Sequence, residues 1–289
     1  MTLSRKEVRP WQTRHLLDRG MLPVSLDYRL CPEINLVDGA MTDLRDAIAW
    51  ARSELPTVAK SAGVLVDPYR IVLVGWSTGA TLAMSLAWTT LAAGIEPPNA
   101  ILAFYGPSDY EAKVWQEPRS GGYPLPTLTM SDIQSHLFAN PVSYYIPPSK
   151  DAGLGGLVSG DPRSELVFAT FHSRKMAQIL LQGFTSSDRN DEDTDSHPSP
   201  SQITEISPLA QIRAGNYRVP TFILHGTEDD VVPVSQSVEC EGALRAQGVP
   251  SGILTLKGKQ HLFDLFLKPG TEEWERCVLP GYDFLAKWV

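Results

Sequence analysis

The sequence predicts an α/β protein built on a mainly parallel β-sheet. Short apolar segments with strand character alternate with longer segments of helical periodicity along the 289 residues. This alternation is typical of parallel strands covered by helices. A hydrophobic content of 43% supplies enough apolar side chains for one large domain or two modest ones.

The predicted elements follow in chain order. Five apolar runs are predicted to be strands: 20–29, 69–75, 99–106, 219–226 and 251–258. Helices are predicted at 41–55, 80–94, 164–184, 235–248 and 271–289, the last one broken at Pro280-Gly281. The first helix is predicted from its apolar positions 44, 47, 48, 51 and 55, which lie on one helical face.

A long insertion interrupts the alternation. About a hundred residues separate the third and fourth predicted strands, which is too long for a loop. We therefore expect an α/β core formed by 1–106 and 216–289, with a helical cap or lid at 107–215. Within the insertion, residues 185–202 hold no large apolar side chain, which predicts a mobile acidic segment.

Charge and composition exclude several partner classes. The formal charge of -8 argues against nucleic acid and against an anionic membrane surface. No apolar run approaches the roughly 20 residues of a membrane span, and the N-terminus lacks a signal-peptide pattern. Cys31, Cys240 and Cys277 show no metal-site spacing and suit a reducing compartment. We expect a cytoplasmic protein without metal or cofactor, in which an exposed sheet edge near 20–29 would favour a homo-oligomer.

The stretch LVGWSTGATLA, residues 73–83, is the strongest chemical signal. A serine in G-x-S-x-G between a strand and a helix lies on a sharp turn, where only small residues fit, which would explain Gly75 and Gly79. The turn places Ser77 at a helix N-terminus, where the Thr78 N–H can stabilise an oxyanion. The alternative is an ordinary serine in a glycine-rich turn.

A nucleophilic serine needs a base and an orienting acid. The stretch HGTEDDVVP follows the fourth predicted strand and offers Glu228, Asp229 and Asp230, of which Asp229 is favoured. His261 follows the fifth strand, so the order Ser…Asp…His fits this arrangement. The alternatives are solvated turn acids and a packing histidine; His225 is predicted to pack around the turn.

These residues, together with DYRLCPE (27–33), ISPLAQI (206–212) and KQHLF (259–263), resemble the α/β-hydrolase superfamily, in its hormone-sensitive-lipase-like esterase branch. The stretch 3–33 is also similar to the C-terminal releasing hydrolase domain of some fungal non-reducing polyketide synthases. This resemblance implies an ester or thioester substrate in secondary, polyketide metabolism. It also implies a structural role for Asp27.

The resemblance further implies that parts of the family pattern are missing. Relatives carry a His-Gly-Gly-Gly segment, half of the oxyanion hole, just before the point that corresponds to Met1, and their first three strands precede it. We therefore expect an N-terminally truncated chain: a truncated gene model, a fragment completed by another polypeptide, or a degenerate copy.

Together the patterns predict a serine hydrolase that forms an acyl-enzyme through Ser77, His261 and Asp229. The aromatic-rich insertion would favour an apolar or aromatic acyl group; alternatively its rings only pack together. An acyltransferase with the same triad and a catalytically impaired remnant stay open. A prolyl-oligopeptidase-like peptidase is disfavoured because no gating propeller domain is present.

Overall fold

The computed structural model describes residues 5–6, 8–117, 121–137, 140–145, 157–173, 175–183 and 197–289. The chain divides into two compact units. The sheet unit consists of 8–24, 44–109 and 207–289, and the helical unit consists of 1–7, 25–43 and 110–206.

The sheet unit contains four parallel strands in the order β1-β2-β3-β4, so each crossover advances by one strand. The strands are β1 (Val72–Trp76), β2 (Ala100–Phe104), β3 (Thr221–Gly226) and β4 (Ser251–Leu256). The helices among the described residues are α1 (Pro10–Asp18), α2 (Thr42–Ser53), α3 (Leu55–Ser61), α4 (Thr78–Ala92), α5 (Lys113–Gln116), α6 (Met130–Ser135), α7 (Pro162–His172), α8 (Met176–Gln182), α9 (Pro200–Ile206), α10 (Pro208–Arg213), α11 (Val234–Ala246), α12 (Glu272–Cys277) and α13 (Leu279–Leu285). A short π-helix, Val37–Met41, leads directly into α2.

Side-chain alternation buries both faces of the sheet. On one face Leu102 and Leu224 pack with Trp274 of α12 and Tyr282 of α13 in a single apolar cluster. A Cβ at Gly281 would meet Leu102 at 2.5 Å, so α13 lies close against the strands there. The opposite side chains of β2 and β3, such as Ile101 and Ile223, are also buried, and α4 and α11 contact these strands.

The predicted strand at 20–29 is wrong. This segment has no ladder partner among the described residues, and it carries no strand. Leu22 and Val24 are 41% and 46% exposed, so the apolar run is not buried either. Strand conformation depends on a neighbouring strand that accepts its hydrogen bonds, and apolar composition alone does not supply one. Among the described strands, the sheet edges are therefore β1 and β4.

The other four strand predictions are confirmed, as are the helices at 41–55, 80–94 and 235–248, within a few residues at each end. The C-terminal helix is broken as expected, but the break lies at Val278, whose φ of -123° interrupts the helix just before α13. Pro280 instead lies in the first turn of α13, where a missing N–H costs no hydrogen bond.

The helical unit is organised around α7. Ile133, Leu166, Ala169 and Ile179 form its buried apolar cluster. The buried carboxylate of Glu165 accepts hydrogen bonds from the Thr127 side chain at 2.9 Å and from backbone N–H groups, among them Gly160 at 2.7 Å and Leu128 at 3.2 Å. A carboxylate on a helix thus anchors two separate loops.

Residues 25–43 are tied into this unit by several contacts. Arg163 of α7 forms a buried ion pair with Glu33, and the Leu36 N–H donates to the Leu180 carbonyl at 2.7 Å. Within the segment, the Arg29 guanidinium donates to Asp43 at 2.6 and 2.9 Å. Asp27 accepts the backbone N–H of Arg5 at 2.7 Å, a structural contact.

The predicted boundaries differ from this division. Residues 25–43 group with 110–206, whereas 207–215 group with the sheet. The helix predicted over 164–184 is two helices, α7 and α8, because Ser173 is extended (φ -99°, ψ 171°). Of the predicted mobile segment 185–202, residues 185–196 lie outside the described residues, and 200–202 begin α9.

Within the residues that the structure describes, no helix is both long enough and apolar enough to cross a bilayer.

Candidate active site

The site is built at the carboxyl end of β1, where the chain reverses into α4. Ser77 stands between them with φ 52° and ψ -128°, a conformation that non-glycine residues rarely adopt. Its own N–H donates to the Phe104 carbonyl at 2.9 Å, and its carbonyl accepts the Ala80 N–H at 2.9 Å. Thr78 is the first residue of α4, so its N–H has no acceptor within the helix.

The glycines around this turn differ in whether the structure leaves room for a side chain. A Cβ at Gly75 would lie 2.2 Å from the Gly79 carbonyl oxygen, so the turn excludes any side chain there. A Cβ at Gly79 would meet nothing within 4 Å, so the expectation that Gly79 must be small is wrong. Gly106, which was not predicted to belong to the turn, is required instead, because a Cβ there would lie 2.6 Å from the Ala80 Cβ.

The structure brings Ser77, His261 and Asp229 together. His261 Nε2 lies 3.0 Å from Ser77 Oγ, and His261 Nδ1 lies 2.7 Å from Asp229 Oδ2. Both distances fall within hydrogen-bond range. Because Nδ1 faces a carboxylate, it carries the ring proton in the neutral imidazole, and Nε2 is left as an acceptor facing the serine hydroxyl.

Of the three candidate acids, only Asp229 is buried; Glu228 and Asp230 are exposed. Asp229 Oδ1 accepts the N–H groups of Val231 and Val232 at 2.9 and 2.8 Å. Burial by itself raises the pKa of Asp229, but hydrogen bonds from His225, His261 and the Val232 backbone outweigh burial and hold the pKa well below its usual value. The carboxylate is therefore ionised and fixed in orientation.

His225 is fully buried and touches the acid. Its Nε2 lies 2.8 Å from the Val232 carbonyl and 3.2 Å from Asp229 Oδ2, and its Nδ1 lies 2.6 Å from Ser237 Oγ. The contact with Asp229 goes beyond the predicted packing of His225 around the turn. The position of His225 four residues before Asp229, near the end of the buried strand β3, was the available signal.

A buried polar cluster lies beside the His261 loop. The Tyr105 ring, at the end of β2, has its centroid 4.6 Å from that of His261, and its hydroxyl donates to Asp264. Asp264 also accepts Gln12 Nε2 at 2.7 Å and forms an ion pair with Arg9 at 3.4 Å. Burial and the nearby carboxylate of Asp264 raise the pKa of Tyr105 well above its usual value, so the hydroxyl stays protonated.

The sequence pattern carries little signal for this cluster. Tyr105 and Leu262 have positive φ angles of 41° and 60°, which spacing patterns cannot reveal. An acid three residues after His261 in an otherwise apolar run, HLFD, was the only available signal for Asp264.

Among the described residues, no group of three or more His, Cys, Asp or Glu side chains could hold a metal ion. Several aromatic residues of the insertion pack on one another inside the helical unit: Trp115 lies 6.2 Å from Tyr110, and Tyr123 lies 5.1 Å from Phe171, centroid to centroid.

Two family models match separate parts of the chain. The model described as the alpha/beta hydrolase fold matches residues 11–150, and the model of the prolyl oligopeptidase family matches 176–289.

The chain is also similar over nearly its whole length to parts of much longer proteins. The chain is 45% identical over 288 residues to a non-reducing polyketide synthase of Preussia isomera, covering 99% of this chain and 13% of that protein. It is 41% identical over 301 residues to 5-methylorsellinic acid synthase of Aspergillus terreus, covering 99% of this chain and 12% of that protein. The chain thus spans about an eighth of the length of these relatives.

Among solved structures, esterase 2 of Thermogutta terrifontis, phosphoramylated by tabun, superimposes with a TM-score of 0.56 at 19% identity, covering 98% of this chain and 77% of that chain. The parallel sheet, the strained serine turn between β1 and α4, and these similarities together lead to one conclusion: the chain belongs to the α/β-hydrolase superfamily.

Proposed function

We propose that this chain is a serine hydrolase that cleaves a carboxylic ester or thioester through an acyl-enzyme. The observation that carries the proposal is the continuous hydrogen-bonded line from Ser77 Oγ through His261 to Asp229, with separations of 3.0 and 2.7 Å. A serine hydroxyl is a weak nucleophile until a positioned base removes its proton, and this line provides that base.

In the proposed mechanism, Ser77 Oγ attacks the substrate carbonyl while His261 Nε2 takes the hydroxyl proton. Asp229 keeps the Nδ1 proton in place and stabilises the imidazolium. The Thr78 N–H, at the positive end of α4, donates to the developing oxyanion. His261 then protonates the leaving alcohol or thiol, and a water molecule activated by the same imidazole releases the acid from Ser77.

The proposed substrate is a thioester or ester of an aromatic acid. This assignment rests on the similarity over nearly the whole chain to parts of polyketide synthases, one of which is named for 5-methylorsellinic acid. In this proposal Ser77 takes the acyl group from the thioester, and water then releases the free acid from Ser77.

A fluorophosphonate probe tests the nucleophile directly. We expect it to label the wild-type protein and to leave Ser77→Ala unlabelled. Ser61→Ala, which removes an exposed serine hydroxyl, is the matched control and should label like the wild type. Folded wild-type protein that takes up no label would contradict the proposal and favour a remnant without activity.

A second experiment separates hydrolysis from transfer. Aryl N-acetylcysteamine thioesters and p-nitrophenyl esters are offered with and without an added alcohol or amine. We expect free acid as the product, with a burst of leaving group where deacylation is slow. Product that forms only with the added acceptor, as its ester or amide, would reassign the chain to acyl transfer.

A further inference from the structure

The Asp229 carboxylate serves two imidazoles. Its Oδ2 lies 2.7 Å from His261 Nδ1 and 3.2 Å from His225 Nε2, while Oδ1 is occupied by two backbone N–H groups. All three side chains lie within the sheet unit, and the side chains of Asp229 and His225 are fully buried. The acid therefore has four donors, and only one of them belongs to the proposed catalytic histidine.

The surroundings of His225 fix its tautomer. Nε2 faces two acceptors, the Val232 carbonyl and Asp229, so the ring proton lies on Nε2. Nδ1 is then the acceptor, and the Ser237 hydroxyl donates to it at 2.6 Å. Every polar atom of this buried ring is satisfied in the neutral state. The titratable groups that face it among the described residues are Asp229, Tyr105, whose ring centroid lies 6.5 Å away, and His261 beyond the carboxylate.

We propose that His225 is a positioning residue of the hydrolase, which acts through Asp229 to set the basicity of His261. The inference rests on the proposed function. A donor on Oδ2 takes up part of the carboxylate charge that would otherwise act on the imidazolium of His261. It also restrains rotation of the carboxylate away from Nδ1. The hydrogen-bonded line therefore runs from Ser237 through His225, Asp229 and His261 to Ser77.

Two substitutions separate this role from packing. The amide nitrogen of His225→Gln occupies the position of Nε2 and keeps a donor toward Asp229. The amide of His225→Asn occupies the position of Nδ1, keeps the contact with Ser237 and leaves Oδ2 without the second donor. Without it, the carboxylate stabilises the imidazolium more strongly, so the pKa of His261 rises.

The decisive measurement is the pKa of His261, determined by NMR titration of ¹³C,¹⁵N-labelled histidine in a Ser77→Ala background. This measurement needs no turnover, so its failure is distinguishable from failure of the proposed function. We expect a higher pKa in His225→Asn and a value near that of the parent in His225→Gln. Equal values in all three proteins would overturn the proposal.

With Ser77 present, the same variants are compared by activity. We expect His225→Asn to lose about 10-fold or more in kcat/KM, by analogy with the outer hydrogen-bond partners of metal ligands, because the carboxylate is less restrained. The acid limb of its pH profile should move upward. His225→Gln should recover most of the rate and the parental profile. A loss in both variants that follows only their folded fraction would assign His225 to packing.

A wild-type measurement covers the case in which His225→Asn does not fold. The ¹⁵N shifts of the neutral His225 ring should report its proton on Nε2. A proton on Nδ1 would mean that no donor faces Asp229, and it would overturn the proposal without any variant.

Discussion

His261 Nε2 lies 3.0 Å from Ser77 Oγ, although 184 residues separate them in the sequence. The strand order explains this contact. Ser77 follows β1, Tyr105 follows β2, Asp229 follows β3, and His261 lies beyond β4. The carboxyl ends of parallel strands all lie at the same end of the sheet, so the four chain segments that follow these strands converge there.

The two glycines of the serine turn should respond in opposite ways. Gly75→Ala places a Cβ 2.2 Å from a backbone oxygen, so we expect a loss of about 3 kcal/mol in unfolding free energy, at the upper end of overpacking penalties. Gly79→Ala enters open space at the start of α4 and should be neutral or stabilise by up to about 1 kcal/mol. Urea denaturation of both variants checks this contrast, and similar losses at the two sites would refute it.

Tyr105→Phe keeps the ring against His261 but removes the hydroxyl that donates to Asp264. A hydrogen bond to a buried charged group contributes about 2 kcal/mol, and we expect a loss of that size in unfolding free energy. Tyr69→Phe removes the hydroxyl of a tyrosine that is 67% exposed and should change stability by less than about 0.5 kcal/mol. Denaturant titration measures both effects. Equal effects of the two substitutions would show that the hydrogen bond from Tyr105 to Asp264 does not stabilise the fold.

The anchor on α7 predicts a local effect in the helical unit. Glu165→Gln presents an amide N–H₂ to N–H donors, and we expect a loss of about 1–3 kcal/mol. Amide hydrogen exchange at Thr127, Leu128 and Gly160 should accelerate. Glu117→Gln, at an exposed position, is the control and should leave exchange at these amides unchanged. Unchanged exchange in Glu165→Gln would show that the loops are held by other contacts.

The lowered pKa of Asp229 predicts how stability depends on pH. The carboxyl group of an aspartate in an unfolded chain has a pKa of about 3.9. Because the pKa in the folded protein is lower, the ionised carboxylate stabilises the fold above that pH, and this contribution is lost as the pH falls through the folded value. We expect the unfolding free energy of the wild type to fall more steeply with acidification than that of Asp229→Asn.

Glu228→Gln, at the exposed neighbouring position, is the control and should follow the wild-type curve. Parallel curves for the wild type and Asp229→Asn would mean that the carboxylate gains nothing from its donors in the folded state.

Most of the sheet was predictable because β1 to β4 are apolar runs bounded by glycine or proline, a pattern that depends only on neighbours in the sequence. The segment 20–29 was also predicted as an apolar strand, yet it forms none: Pro23 lies inside the run, and strand formation depends on a partner that composition does not reveal. The break at Ser173 was missed for a related reason: the apolar periodicity continues across it while the backbone does not.

The site divides in the same way. Ser77, Asp229 and His261 were named from their order and from the turn chemistry around each of them, and their catalytic roles stay predictions. His225, Tyr105 and Asp264 were missed because their contacts arise only when strand ends meet. Gly79 fits the sequence pattern, but the turn itself does not require it.

The strand order also predicts which part of the structure is lost first on partial denaturation. Ser77 follows β1 and His261 follows β4, the two outer strands of the described sheet, so the loop after β4 carries His261 back across the ends of the strands to reach Ser77. Slippage of either outer strand by a fraction of an ångström would separate the pair while the interior remained packed. Under mild denaturant or moderate heating, turnover should therefore vanish before circular dichroism registers any melting.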